Sequence, residues 1–172
     1  KKHNIVKAVV SDGVLWDDGS FGDILLYGRR NMSVDSLRAA HANKKFDVLG
    51  ELAPFYGGKV ATDSSLAPLF DVAEELGIPA GFHVFPGGPN WALSRFPGMY
   101  PLMRAKNADP KQLQEVLVKY PKMKLYIMHG GWPYVDDVKA LLYMHSQLYV
   151  DVAVLNWILP KEEFYNYLKE LI

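Results

Sequence analysis

Short apolar runs alternate with amphipathic stretches along nearly the whole chain. Residues 4–10 have the β-branched density of a strand buried on both faces. Residues 23–28 form a weaker strand candidate, and 46–52, 78–84, 124–129 and 147–153 repeat the short apolar design. Between these runs the spacing changes to three and four. Ser33 is a plausible N-cap for a helix through Leu37, Ala40 and His41. Asp63 opens the clearest helix, in which Leu66, Leu69, Phe70, Ala73 and Leu76 share one face and Gly77 stands where a left-handed cap belongs. Asp109 and Pro110 begin the next helix, with Gln112 at the capping-box position and Leu113, Val116, Leu117 and Tyr120 as its apolar stripe. Pro133 starts a helix to about His145 with Asp136 and Asp137 in its first turns, and Pro160 starts another through Phe164, Tyr167, Leu168 and Leu171. Strand and helix in alternation predict an α/β protein with a parallel sheet, either doubly wound or a (β/α) barrel. Neither G-x-G-x-x-G after the first strand nor a P-loop sequence is present, so the nucleotide-binding versions lose their usual signature.

Two of the predicted strands end alike. Ile78-Pro-Ala-Gly-Phe-His83 stops at a histidine just before Pro and Gly, and Lys124-Leu-Tyr-Ile-Met-His129 stops at one just before Gly130 and Gly131. Parallel strands built this way present both imidazoles at the carboxyl end of one sheet, where α/β proteins place their sites. A strand-end histidine is often only a core or loop residue bonded to backbone, but two at matching positions point to a site. Neutral imidazole ligates zinc and is a base near neutral pH, so His83 and His129 are the chain's best chemical clue. Asp12, Glu51 and Asp151 are the carboxylates near strand ends. His3 is terminal, and His41 and His145 fall near helix C-termini, where an exposed histidine is the default. The connection from Val84 to about Asp109 is longer than an ordinary loop and carries Trp91, Arg95, Phe96, Tyr100 and Arg104, a mixture suited to a lid. Arg104 suits a substrate carboxylate. Trp132 and Trp157 each follow a strand end and suit a pocket wall.

Composition narrows the classes. With 172 residues, 49% hydrophobic, the chain suits one domain. Nineteen basic and nineteen acidic residues give no net charge and no cluster of one sign, so nucleic acid and membrane are not expected as partners. The absence of cysteine removes disulfides, thiolate zinc sites and a cysteine nucleophile. No apolar run is long enough to span a bilayer, and a cytoplasmic location is the default expectation.

Several segments in order resemble a known family: Val48-Leu-Gly-Glu51, Asp63 with Leu66-Ala-Pro-Leu-Phe-Asp-Val-Ala-Glu-Glu-Leu-Gly-Ile-Pro79, His83, the stretch from Tyr120 to Pro133, and Leu148-Tyr-Val-Asp-Val-Ala153. Together they are similar to the amidohydrolase-related (amidohydrolase 2) branch of the metal-dependent hydrolases, which also contains aminocarboxymuconate-semialdehyde decarboxylase. The resemblance implies a (β/α)8 TIM barrel holding one divalent metal, zinc being the first choice. It matches His83 to the family's strand-five metal ligand and His129 to the strand-six histidine that moves a proton. Family members carry His-x-His on the first strand and a metal-binding aspartate at the end of the eighth, and this chain starts after the one and stops before the other. The expectation is therefore a single partial barrel over 1–172, about strands 2 to 7, truncated at both ends, with only part of the site. The complete form would use metal-activated water against a C–O or C–N bond of a small molecule. Alternatives are a non-oxidative decarboxylase and a non-catalytic shortened barrel that binds a ligand or partner. His129 is the catalytic candidate, His83 the metal ligand, and Glu51, Arg104, Trp132, Asp151 and Trp157 are substrate-binding candidates; homo-oligomerisation is left open.

Overall fold

A computed structural model describes residues 8–10, 25–29, 32–88, 100 and 102–172. Six parallel strands lie side by side in sequence order: β1 (Ala8–Val10), β2 (Leu25–Arg29), β3 (Val48–Leu52), β4 (Ala80–His83), β5 (Leu125–Met128) and β6 (Leu148–Val150). Sequential order with every neighbour parallel is the connectivity of a (β/α) barrel rather than of a doubly wound sheet, whose order reverses at a switch point. The helices are α1 (Val34–Ala42), α2 (Ala67–Leu76), α3 (Leu113–Lys119), α4 (Val135–Met144), α5 (Leu155–Ile158) and α6 (Lys161–Leu171). The fold is thus an incomplete barrel. Among the described residues no helix is long and apolar enough to cross a membrane.

Strand alternation divides the sheet into two faces. Ala80 and Phe82 of β4 and Leu125 and Ile127 of β5 turn toward the helices. They pack with Leu37 of α1, Phe70 and Ala73 of α2, Val116 and Leu117 of α3, and Val138 and Leu141 of α4, all buried in one cluster. The positions between them, Gly81, Tyr126 and Met128, fall on the opposite face, where Tyr126 and Met128 join Gly50 and Glu51 in lining an open cavity of about 720 Å³. Gly81 and Tyr126 are register partners. A Cβ at Gly81 would stand 2.4 Å from the Tyr126 phenol, so the missing side chain on one strand makes room for the large one on the next.

Three local expectations are corrected. Ser64–Leu66 is a 3-10 turn with Asp63 as its N-cap, and α2 begins only after it, with Pro68 in its first turn. Gln112 does not close a capping box: its Oε1 accepts from the Ala61 N–H (2.5 Å) and its Nε2 donates to the Asn107 carbonyl (2.5 Å), tying the long connection to the loop after β3. The four-residue helix α5 follows β6 where no element was expected.

Candidate metal centre

Three neighbouring strands deliver the site. Glu51 lies in β3, His83 is the last residue of β4, and His129 is the first residue beyond β5. Their donor atoms all lie within 4.8 Å of one another. His129 Nε2 is 3.1 Å from His83 Nδ1 and 3.4 Å from Glu51 Oε1, and that same oxygen is in direct contact with His83 Nδ1. The histidines are only 4% and 6% exposed, whereas the Glu51 side chain keeps 30% of its surface toward solvent.

The outer nitrogens of the two rings determine what the inner ones offer. His83 Nε2 is 3.1 Å from the Phe85 carbonyl, and His129 Nδ1 is 3.2 Å from the Ala153 carbonyl. A carbonyl only accepts, so these contacts assign the ring protons to His83 Nε2 and His129 Nδ1. The neutral rings then point lone pairs from His83 Nδ1 and His129 Nε2 at a carboxylate oxygen. Three acceptors meet with no donor among them, and a cation resolves that conflict. In a proton's presence the pattern is an ion pair: hydrogen bonds from His129 and then His83 hold the Glu51 carboxyl well below the usual carboxylate range, against its partial burial. Burial lowers the His129 pKa, but Glu51, the Ala153 carbonyl and Asp151 outweigh it and the net shift is upward. A metal ion is the other solution. A tetrahedral ion with bonds of ~2.0–2.1 Å spaces its donors roughly 3.3–3.4 Å apart, and each ligating imidazole donates its other N–H to an acceptor such as a carbonyl. The 3.1 and 3.4 Å separations of His129 Nε2 from its two neighbours and the two carbonyl bonds match that arrangement, whereas Glu51 Oε1 and His83 Nδ1 stand closer together than two ligands of one ion and would have to move apart to admit it.

Aromatic rings wall the histidines. Phe55 stacks on His83 with centroids 5.1 Å apart, Tyr56 lies at 5.2 Å with its hydroxyl 3.5 Å from His83 Nε2, and Phe85 meets His129 edge-on at 5.8 Å. Burial first, then Glu51 and Tyr100, push the Tyr56 phenol up to about 12, so it stays protonated near neutral pH. Tyr100 tilts against Tyr56 at 4.7 Å, and Met103 and Ala108 pack on Phe55, so the returning part of the long connection covers this side of the site.

The backbone that carries His129 is unusual. His129, Gly130 and Gly131 all have left-handed φ, at 60°, 63° and 67°. Glycine is required twice here. A Cβ at 130 would sit 2.8 Å from Leu155 Cδ1, and one at 131 would sit 2.4 Å from Val138 Cγ2. Tyr167 of α6 donates its hydroxyl proton to the Gly130 carbonyl at 3.0 Å.

Of the seven residues singled out from the sequence, the structure brings Glu51, His83 and His129 together. Asp151 stands beside them, its Oδ1 accepting backbone N–H bonds from His129 (3.2 Å) and Ala153 (2.9 Å). Trp132 reaches the site through Phe85, 5.8 Å away. Arg104 is exposed and donates to the Met103 carbonyl (2.7 Å), outside the three-residue group. Trp157, on α5, is 80% exposed. Asp12, Trp91, Arg95 and Phe96 lie outside the described residues. Tyr56 and Phe85 were not anticipated; the signal for both was position, immediately after strands whose last residues carry the chemistry.

Comparison with known proteins agrees with this architecture. No curated protein gives a match to the chain. Among solved structures it is similar to an uncharacterised TIM-barrel protein from Bordetella bronchiseptica, at 18% identity and a TM-score of 0.57, covering 83% of this chain and 48% of that one. It is also similar to a dihydroorotase from Campylobacter jejuni, at 19% identity and a TM-score of 0.47, covering 81% of this chain and 37% of that one. The chain therefore spans less than half the length of either. The first likeness supports a TIM-barrel fold, which the six sequential parallel strands show independently. The amidohydrolase family model matches residues 7–172, nearly the whole sequence and all three residues of the centre, and the chain belongs to the amidohydrolase family.

Proposed function

We propose that this chain carries the metal centre of a metal-dependent hydrolase that cleaves a C–O or C–N bond of a small molecule. The observation that supports the reading is the convergence of Glu51, His83 and His129, with both imidazole lone pairs directed at the carboxylate by carbonyl bonds on their far sides. Glu51 Oε1 and His83 Nδ1 are the donors that hold the metal, and zinc suits this nitrogen and oxygen set. When bound, such an ion supplies Lewis acidity and lowers the pKa of a water to about 7.

The remaining roles belong to the chain. His129 accepts and returns a proton at Nε2, because its Nδ1 is committed to the Ala153 carbonyl. Phe55 and Phe85 exclude water from the two rings, and Trp132 extends that wall. The resemblance to the aminocarboxymuconate-semialdehyde decarboxylase branch favours a second reading, proton transfer to carbon after loss of CO2, with the same residues.

A panel of lactones, esters, amides and aromatic carboxylic acids, scored by product, separates the two. Hydrolysis that a chelator abolishes and added zinc restores is the expected result. CO2 release would move the assignment to the decarboxylase, and turnover indifferent to the chelator would overturn the metal-dependent reading.

A further inference from the structure

We infer that Asp151 is a positioning residue for His129, acting as a clamp between the ends of β5 and β6 that fixes both the backbone and the ring tautomer of that histidine. The inference deepens the proposed role of His129, but its test needs neither metal nor substrate.

The clamp is built from four hydrogen bonds. One carboxylate oxygen, Asp151 Oδ1, accepts from the N–H of His129 at 3.2 Å and from the N–H of Ala153 at 2.9 Å. The Asp151 carbonyl accepts from the N–H of Gly130 at 2.6 Å. The Ala153 carbonyl then takes the His129 Nδ1 proton at 3.2 Å. Asp151 thus holds the peptide before His129 and the residue whose carbonyl orients the His129 ring. None of these contacts leaves the loops after β5 and β6, and all converge on a single imidazole.

Backbone conformation gives the clamp its reason. Of three non-glycine residues with left-handed φ among those described, two lie here: His129 at 60° and Val154 at 74°. Val154 is β-branched, for which this region is a genuine outlier. Such residues persist only where surrounding contacts over-determine them, and they concentrate at sites whose geometry must be held. The charge-assisted bonds to Oδ1 supply that constraint on both arms, since a carboxylate accepts more strongly than a neutral carbonyl. Without it, Ala153 is free to turn its carbonyl away, and His129 loses the partner that keeps the lone pair on Nε2, the atom facing Glu51 and His83.

Nitrogen NMR of the metal-free protein at mildly alkaline pH, with ring 15N labels, reads the tautomer of each histidine. The expected wild-type result is His129 protonated on Nδ1 and His83 protonated on Nε2. In Asp151→Ala the His129 signals should shift to a mixture in which the Nε2–H form predominates, while His83, held by the Phe85 carbonyl, keeps its wild-type signals and reports that the fold is intact. Asp151→Asn retains an Oδ1 acceptor of the same shape without the charge and should fall between the two, with more of the Nδ1–H form of His129 than Asp151→Ala. The inference is overturned if wild-type His129 carries its proton on Nε2, which needs no variant, or if Asp151→Ala leaves the Nδ1–H form unchanged. A normal tautomer pattern in a protein that binds no metal would refute the proposed function and leave the clamp standing.

Discussion

Replacing Gly131 by alanine should do more harm than the same change at any open glycine, and the excess can be worked out. Gly131 has φ 67°, and a Cβ there would lie 2.4 Å from Val138 Cγ2 and 3.2 Å from Ile127 Cγ2, both on fully buried residues. The left-handed backbone alone costs a residue with a side chain about 1–2 kcal/mol. Forcing a methyl into a packed core adds roughly 1–3 kcal/mol. Gly131→Ala should therefore destabilise by about 2–5 kcal/mol, a large fraction of the ~5–15 kcal/mol typical of a domain. Gly77 is the internal control, because its φ is 66° and a Cβ there meets nothing within 4 Å. Gly77→Ala should cost only the backbone part, about 1–2 kcal/mol. Urea unfolding of both variants isolates the steric contribution as the difference. Because α4 and β5 must part to admit the methyl, Gly131→Ala should also displace His129 and weaken metal binding, which Gly77→Ala should not. Equal losses of stability in the two variants, within ~0.5 kcal/mol, would refute the packing argument around the centre.

Three further outcomes follow from the same geometry. In the active protein His83→Ala should lose metal and activity together, whereas His129→Ala should keep most of its metal and lose turnover; equal metal loss in both would make His129 a ligand. In the metal-free protein the depressed Glu51 pKa contributes stability that is present above its unfolded value and lost as pH falls, and the raised His129 pKa contributes stability that is present below its unfolded value and lost as pH rises. Thermal unfolding of wild type against Glu51→Gln should thus differ most between about pH 4.3 and 6.5, and a gap that keeps widening to pH 9 would contradict the ion pair. Among the described residues β1 pairs only with β2 and β6 only with β5, and Val9 and Tyr149 on these strands are each 54% exposed. Unpaired apolar edges recruit other chains, so the 172-residue polypeptide should associate as its concentration rises in size-exclusion chromatography, and a concentration-independent monomer would count against open edges.

The strands were legible because a parallel sheet covered by helices needs near-continuous apolar runs, and β3 to β6 each begin and end within a few residues of such a run. His83 and His129 were legible for a related reason, since a polar residue that closes an apolar strand falls at the sheet's edge. The partnership of Glu51 with both was not. It depends on the register across β3 and β4, which shifts between Leu49 and Leu52, and spacing along the chain does not encode that shift. The tautomers were equally hidden, because backbone carbonyls of Phe85 and Ala153 set them and any residue type could supply a carbonyl. Gly130 and Gly131 announced a break after β5, but not that His129 shares their left-handed conformation. Asp151 and Trp157 stood out as polar and aromatic residues at strand ends. The structure gives the first to the backbone of its neighbours and leaves the second facing solvent.

If Glu51, His83 and His129 form one metal centre, a calorimetric zinc titration of the purified chain should show it. The expected result is one zinc per chain, with Glu51→Gln and His83→Ala each weakening binding by more than the ~10–100-fold typical of losing an outer partner of a ligand. Zinc affinity unchanged in both variants would show that the three side chains meet for some other purpose.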